Sequence, residues 1–192
     1  ELGSTRIKAM VLNKNYKTVA SGSFIWQTKE VGGYWTYDLE DVWKGLKEVI
    51  KTIAKSYDLS QIEAMGVSAM MHGYLPFDEN DELLTPFRTW KNENTAVAAK
   101  ELSELFNFNI PLRWSISHLY QVCLDKEPSV HKVKSLTTLA AYVHACLSGQ
   151  KVIGIGDASG MFPIDIKTQN YDQAMIDQFE KKTGLKISEL LP

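Results

Sequence analysis

The sequence has few of the features that mark specialised protein classes. Its 192 residues include only two cysteines and carry a net charge of -2. Cys123 and Cys146 lie in apolar helical patterns without a CxxC partner, so neither a disulfide framework nor a zinc site is expected. Lysine and arginine are scattered and form no basic stripe, which argues against nucleic acid as a partner.

Long apolar runs are also absent. No run approaches the roughly 18 residues that a membrane helix needs, and the first residues lack the basic start and apolar middle of a signal peptide. We therefore expect a cytoplasmic protein without a membrane partner. The chain starts at Glu1 instead of a methionine, and we expect it to begin inside a longer one.

The hydrophobic pattern of the first half predicts alternating strands and a helix. Residues 7–11 and 18–26 favour an antiparallel hairpin, and Asp38 can cap a helix that extends to about Ile53. The apolar run 62–71 predicts a buried strand. This succession indicates an α/β sheet, in which ligands usually lie beyond the carboxyl ends of strands, where His72 would be.

The second half is predicted to be mainly helical. Apolar spacing favours helices over 94–106, 115–124, 136–147 and roughly 171–182. Gly149 and Gly184 follow two of them at positions where a left-handed cap is easiest for glycine. A strand-like stretch at 74–77 precedes these helices, and Pro163 argues against a helix over 152–166.

The turn Gly3-Ser4-Thr5 is a candidate phosphate-binding element. A glycine with adjacent hydroxyls can bring backbone N–H and side-chain O–H groups against phosphate oxygens. The GxxxxGK[ST] spacing of a P-loop is missing. The alternative interpretation is a structural turn in a hairpin.

The segment Met71-His72-Gly73 is a candidate sugar-binding element. An imidazole at a strand end can donate a hydrogen bond to a sugar hydroxyl, and a methionine can form an apolar wall. The alternative is a packed or capping histidine. The other histidines, His118, His131 and His144, lack close metal-ligand spacing, so no metal site is expected from them.

A Gly-x-Gly sequence at 154–156 invites a dinucleotide-binding interpretation, which its context contradicts. The third glycine has the wrong spacing, and the residues after it, 161–164, are predicted to be extended where a helix should receive the pyrophosphate. A Rossmann site is therefore not expected.

Three motifs together resemble those of the FGGY family of carbohydrate kinases. They are Gly3-Ser4-Thr5, Met71-His72-Gly73 and Asp157-Ala158-Ser159-Gly160, in the family's order and at its approximate spacing. The resemblance implies that the first faces the phosphates of ATP. Glu1 stands where the family has an aspartate that helps to hold the magnesium-nucleotide group, and its longer side chain moves the carboxylate by about an ångström.

The second motif resembles the family's Ser-Gly-Gln-Met-His-Gly pattern, typical of members that act on ketopentoses such as xylulose. Here Ala69 and Met70 replace the glycine and the glutamine. The resemblance implies that Met71 and His72 line the sugar pocket, and that Thr5 and His72 face a common cleft between two lobes.

The stretch from Trp90 to Thr95 resembles the family's Trp-x-Asp-x-Arg-Thr segment beside the sugar. Trp90 and Thr95 match, whereas Asn92 and Asn94 replace the charged residues. Neutral amides can still hydrogen-bond a polyol, so Trp90 and Asn92 are candidate substrate-binding residues. An exposed N-cap before the next helix is the alternative for Asn94.

The resemblance implies an α/β fold of the ribonuclease-H-like, actin-like ATPase type, with a mixed sheet and flanking helices. Residues 1–192 would be the N-terminal sugar-binding domain, and the ATP-binding domain would lie outside this chain. ATP and Mg2+ are the implied cofactors, and the catalytic base is expected C-terminal to Pro192. The expected partners are a sugar and the protein's own C-terminal domain, and a homodimer stays open.

Two other functions compete with a sugar kinase. The altered positions Glu1, Met70, Asn92 and Asn94 would suit a catalytically weakened sugar sensor of the same lineage. A metal-dependent nuclease of the same broad fold would need clustered carboxylates and a basic groove, which the charge pattern disfavours.

Overall fold

The structure is a computed structural model that describes residues 1–192 as eight short strands and six helices. The helices are α1 (Leu39–Ala54), α2 (Ala96–Phe106), α3 (Ser115–Leu124), α4 (Leu139–Ser148), α5 (Ile155–Ala158) and α6 (Gln173–Thr183). The strands are β1 (Arg6–Leu12), β2 (Thr18–Ile25), β3 (Lys29–Val31), β4 (Tyr34–Thr36), β5 (Leu75–Phe77), β6 (Ser135–Thr137), β7 (Ile164–Asp165) and β8 (Asn170–Tyr171). Short 3-10 turns occupy Leu59–Gln61, Pro128–Lys132 and Ile187–Glu189.

The chain divides into two compact units. One comprises residues 1–29 and 37–70, and the other comprises residues 30–36 and 71–192. The strands pair only in twos, β1 with β2, β3 with β4, β5 with β6 and β7 with β8. The predicted mixture of helices and strands is confirmed, but one continuous mixed sheet is not formed. None of the helices combines the length and apolarity that crossing a bilayer requires.

The first unit packs helix α1 against the β1–β2 hairpin. The hairpin is antiparallel, with Ile7 opposite Phe24, and Asp38 caps α1 by accepting a hydrogen bond from the Glu40 N–H. Both features confirm the predictions. Gly22 of β2 lies so close to the helix that a Cβ there would be 2.6 Å from the Val49 carbonyl oxygen. The hairpin backbone therefore lies directly against the backbone of α1.

The predicted buried strand over residues 62–71 is wrong. The segment 62–68 has no regular strand, and Ile62 and Met65 are exposed. Within the predicted strand only Ala69 forms a β-bridge. It pairs in parallel with Leu2, and the Leu2 N–H donates to Ser68 O at 2.8 Å. The Met70 N–H also donates to Leu2 O at 2.9 Å. In a parallel pair the residues after Ala69 would lie beside those after Leu2, so the turn at Gly3 ends the pairing on that side.

The core of the second unit is formed mainly by α2, α3 and α6. Leu102, Ile116, Leu119, Phe162 and Phe179 are among its fully buried side chains. Antiparallel pairing of β5 with β6 places Leu75 opposite Thr137. These helices and β5 confirm the predicted elements within a few residues at each end.

Gly149 and Gly184 end α4 and α6 in the left-handed conformation, with φ of 74° and 75°. This confirms the predicted caps. Helix α5 lies within the stretch 152–166, where Pro163 argues against a helix. Proline prevents a helix from continuing through it but leaves a single turn several residues earlier unaffected.

Candidate functional site

The turn Gly3-Ser4-Thr5 lies in the first unit between Leu2 and β1. The Gly3 N–H donates to Arg6 O at 3.0 Å, which closes the turn, and Ser4 and Thr5 are exposed. A Cβ on Gly3 would be 3.3 Å from the Arg6 oxygen, so the turn is tight. Two exposed hydroxyls on a tight turn are a geometry that phosphate oxygens can approach.

Two aromatic residues that the sequence reasoning did not single out hold this turn. Trp26 Nε1 donates to Gly3 O at 2.7 Å, and the Tyr37 hydroxyl donates to Ser4 O at 2.5 Å. Their ring centroids are 4.3 Å apart. Because both carbonyls bond to side chains, the peptide planes on either side of the turn are fixed in direction.

Glu1 carries the carboxylate next to this turn. Its Oε1 lies 3.5 Å from the position that a Cβ on Gly3 would take. The chain has no group of three or more His, Cys, Asp or Glu side chains that could hold a metal ion by themselves. Mg2+ is commonly held by one or two carboxylates together with substrate phosphates and water, and a single carboxylate at the turn fits that mode.

Met71, His72 and Gly73 lie in the second unit, immediately before β5. Met71 is 41% exposed and His72 is half-buried. His72 has φ of 70° and Gly73 has φ of 101°, so both residues are in or near the left-handed region, which is uncommon for a residue with a side chain. The backbone therefore turns sharply at the point where the predicted sugar-binding side chains project.

This sharp turn is fixed by close backbone contacts. The Gly73 N–H donates to Arg113 O at 3.1 Å, and Ser115 Oγ donates to Gly73 O at 2.6 Å. A Cβ on Gly73 would be 2.6 Å from Arg88 O. Only glycine combines this φ with this close approach, so Gly73 sets the direction in which His72 projects.

The motif Asp157-Ala158-Ser159-Gly160 lies beside the imidazole of His72. The His72 Nδ1 is 3.4 Å from Gly160 O, and the Asp157 carboxylate accepts a hydrogen bond from the Thr138 hydroxyl. Burial lowers the pKa of His72 and raises that of Asp157. Thr138 is the N-cap residue of α4, so Asp157 connects its own segment to the start of that helix.

Trp90 is 41% exposed. Its ring and the ring of a second tryptophan both lie within cation–π distance of the Lys91 ammonium. The Lys91 ammonium lies 5.5 Å from the centroid of the Trp35 ring and 6.0 Å from that of Trp90. Trp35, on β4, is also exposed. The sequence reasoning did not identify it as part of this group.

Asn92 lies in the interior of the second unit. Its side chain is 4% exposed. Oδ1 accepts from the Trp35 N–H at 2.8 Å, and Nδ2 donates to the carbonyl oxygens of Trp35 and Thr89 at 2.9 Å each. The side-chain amide of Asn92 hydrogen-bonds to the backbone of β4 at Trp35 and to the backbone of the Trp90 loop at Thr89. Asn92 therefore holds β4 and this loop together.

The predicted site residues fall into two groups. Gly3, Ser4 and Thr5 belong to the first unit, whereas Met71, His72, Trp90 and Asn92 belong to the second. The common cleft between Thr5 and His72 stays a prediction. Within the second unit, Tyr74 and Arg88 exchange backbone hydrogen bonds of 2.8 and 3.2 Å, which connects the His72 turn with the segment that leads to Trp90.

Comparison with protein families agrees with the motifs. Residues 1–191 match a family model described as the N-terminal domain of the FGGY family of carbohydrate kinases. The chain is 27% identical over 193 residues to L-fuculokinase of Haemophilus influenzae, an alignment that covers 92% of this chain and 41% of that protein. It is 23% identical over 195 residues to xylulose kinase of Lactococcus lactis, covering 93% of this chain and 38% of that protein.

A solved structure has the same fold. The ligand-bound xylulose kinase of Lactobacillus acidophilus superposes with a TM-score of 0.85 at 22% identity, covering all of this chain and 40% of that one. The chain thus spans about two fifths of the length of the curated relatives it matches.

Proposed function

This chain belongs to the FGGY family of carbohydrate kinases, and we propose that it is the sugar-binding domain of an ATP-dependent kinase that phosphorylates a small sugar. The observation that carries the proposal is the family match over residues 1–191. We propose a ketopentose such as xylulose as the substrate, because Met71-His72-Gly73 stands at the matching position and several similar proteins are named xylulose kinases. The fold would be of the ribonuclease-H-like, actin-like ATPase type.

The proposed sugar contacts come from the exposed side chains of the second unit. Met71 and Trp90 would supply apolar surface against carbon-bound hydrogens, and His72 would hydrogen-bond a hydroxyl. Asn92 is proposed to orient β4 and the Trp90 loop, since its amide is already bonded to their backbones. Its contribution to binding would be indirect.

The proposed phosphate contacts come from the turn of the first unit. Gly3, Ser4 and Thr5 would face the phosphates of ATP, with the Ser4 and Thr5 hydroxyls as donors, since the Gly3 N–H is used to close the turn. Glu1 would hold Mg2+, which supplies charge neutralisation at the transferring phosphoryl group. The side chains of Trp26 and Tyr37 would keep the turn in the required direction, because they bond its carbonyl oxygens.

Phosphoryl transfer also needs a base close to the attacking hydroxyl and an in-line γ-phosphate. We propose that the base lies C-terminal to Pro192, in a second domain that closes over the nucleotide and excludes water. The 192-residue chain would then bind and orient the sugar without phosphorylating it.

The test is sugar binding by the 192-residue chain, measured by saturation-transfer NMR and calorimetry. The panel is xylulose, ribulose, fuculose, gluconate and glycerol, and we expect xylulose or ribulose to bind most tightly. His72→Asn should weaken binding about tenfold, the value of one hydrogen bond, because asparagine tolerates the left-handed backbone. His131→Asn, at an exposed histidine, is the matched control and should bind like the wild type.

Absence of binding to every sugar, with a folded circular dichroism spectrum, would overturn the proposal. ADP release by the 192-residue chain with sugar and Mg-ATP would overturn the assignment of the base to another domain. A parent sequence that lacks any aspartate-containing glycine-rich motif beyond Pro192 would favour the sensor over the kinase.

A further inference from the structure

The imidazole of His72 occupies the space that a side chain at position 160 would need. Nδ1 is 3.4 Å from the Gly160 oxygen. A Cβ built on Gly160 would be 2.6 Å from Nδ1 and 3.0 Å from Cε1. Gly160 is buried and its φ is not positive, so the glycine is needed here for space rather than for backbone conformation.

This contact bears on which ring nitrogen carries the proton. A backbone carbonyl oxygen can only accept a hydrogen bond, so a hydrogen bond across the 3.4 Å between Nδ1 and Gly160 O requires the proton on Nδ1. A neutral imidazole has one N–H, and its other nitrogen then carries a lone pair. Burial lowers the pKa of His72, with the charge of Arg113 acting in the same direction and Gly160 and Asp157 opposing. The neutral ring is therefore favoured.

We propose that Gly160 holds His72 as the Nδ1–H tautomer, so that His72 presents Nε2 as a hydrogen-bond acceptor to a hydroxyl donated by the substrate. This reverses the donor role predicted from the sequence. Gly160 is a positioning residue, since it acts through His72. The tautomer is a property of this chain alone, whereas the identity of the donated hydroxyl rests on the proposed function.

The proposal restricts the chemical class of ligand at this position. The ligand must bring an O–H group, as a ketose or polyol does. An analogue with that hydroxyl O-methylated keeps an oxygen but has no proton to donate, so it leaves Nε2 unpaired. A buried polar group without its partner discriminates strongly against such an analogue.

The tautomer can be measured directly by long-range proton–nitrogen NMR on the histidine-labelled chain at neutral pH. His72→Asn assigns the His72 signals by their disappearance. We expect Nδ1 with the shift of a protonated nitrogen and Nε2 with that of an unprotonated one. The Nε2–H tautomer or a doubly protonated ring in the wild type would overturn the proposal.

Gly160→Ala tests the positioning role, and Gly156→Ala is its matched control. A Cβ at Gly156 meets nothing within 4 Å, and the residue lies in α5, so the His72 signals should not change. Gly160→Ala should displace the ring and shift it toward the Nε2–H tautomer. Unchanged signals in a folded Gly160→Ala chain would overturn the role of Gly160. If that variant does not fold, the wild-type spectrum decides the tautomer.

Adding xylulose separates this inference from the proposed function. The hydroxyl contact should shift the Nε2 signal, and Gly160→Ala should weaken binding about tenfold, as expected for one lost hydrogen bond. Sugar binding together with an Nε2–H ring would overturn the inference and leave the function standing. An Nδ1–H ring in a chain that binds no sugar would overturn the function and leave the tautomer standing.

Discussion

The pair formed by Arg88 and Glu127 offers the sharpest test of how the second unit is held together. The Arg88 side chain is 4% exposed and that of Glu127 is 22% exposed. Two parallel hydrogen bonds of 2.9 and 2.6 Å join them. The guanidinium carbon also lies 4.0 Å from the centroid of the Tyr34 ring on β4. Glu127→Ala would leave a buried guanidinium without its counter-charge.

The cost can be estimated from the burial of the two groups. Removing one partner of a buried pair typically costs about 3–5 kcal/mol. Glu127 is partly exposed, so water can reach the site, and we expect the lower end, about 3 kcal/mol. At about 2–4 °C per kcal/mol for a chain of this size, Tm should fall by about 6–12 °C.

The assay is urea and thermal unfolding followed by circular dichroism. Glu93→Ala, at an exposed glutamate, is the control and should change the free energy of unfolding by about 0.5 kcal/mol or less. The double variant Arg88→Met/Glu127→Leu replaces both charges by apolar groups and should be more stable than Glu127→Ala. A Glu127→Ala chain as stable as the control, or a double variant less stable than the single one, would refute the reasoning.

Three further predictions follow from close contacts. Gly22→Ala should destabilise the first unit by about 2 kcal/mol or more in urea unfolding, because its Cβ would meet the α1 backbone, whereas Gly66→Ala, in open space, should not. Burial, with the charge of Arg88, lowers the pKa of His118 to about 3, so unfolding takes up protons and stability falls from about pH 6.5 toward pH 3. His118→Leu should flatten that slope, and parallel pH profiles of the two proteins would contradict it. Asn92→Leu should lower the free energy of unfolding by about 2 kcal/mol and speed amide hydrogen exchange in β4. Unchanged exchange there would argue against the role of Asn92 in holding β4 to the Trp90 loop.

Elements set by local chemistry could be read from the sequence. Asp38 begins α1, and Gly149 and Gly184 end α4 and α6, because caps depend on side chains within a few residues. The order of the motifs was likewise sufficient to indicate the family that the match over residues 1–191 shows. These features need no knowledge of distant contacts.

The prediction that failed is the buried strand, because strand pairing depends on residues that are distant in the sequence. The apolar run 62–71 has the composition of a buried strand, yet its backbone pairs only with Leu2, near Ala69. Composition records how favourable burial would be, but pairing depends on which other backbone lies alongside. The sequence alone could not supply that partner.

The hydrogen-bond partners of individual candidate site residues were also decided by tertiary structure. His72 and Gly160 are separated by 88 residues, and Asn92 and Trp35 by 57. Residue types alone therefore suggested a histidine that donates to a sugar and an asparagine that contacts it. The folded chain places a carbonyl oxygen against one and a strand backbone against the other, and hydrogen-bonding roles follow from the groups that actually face each other.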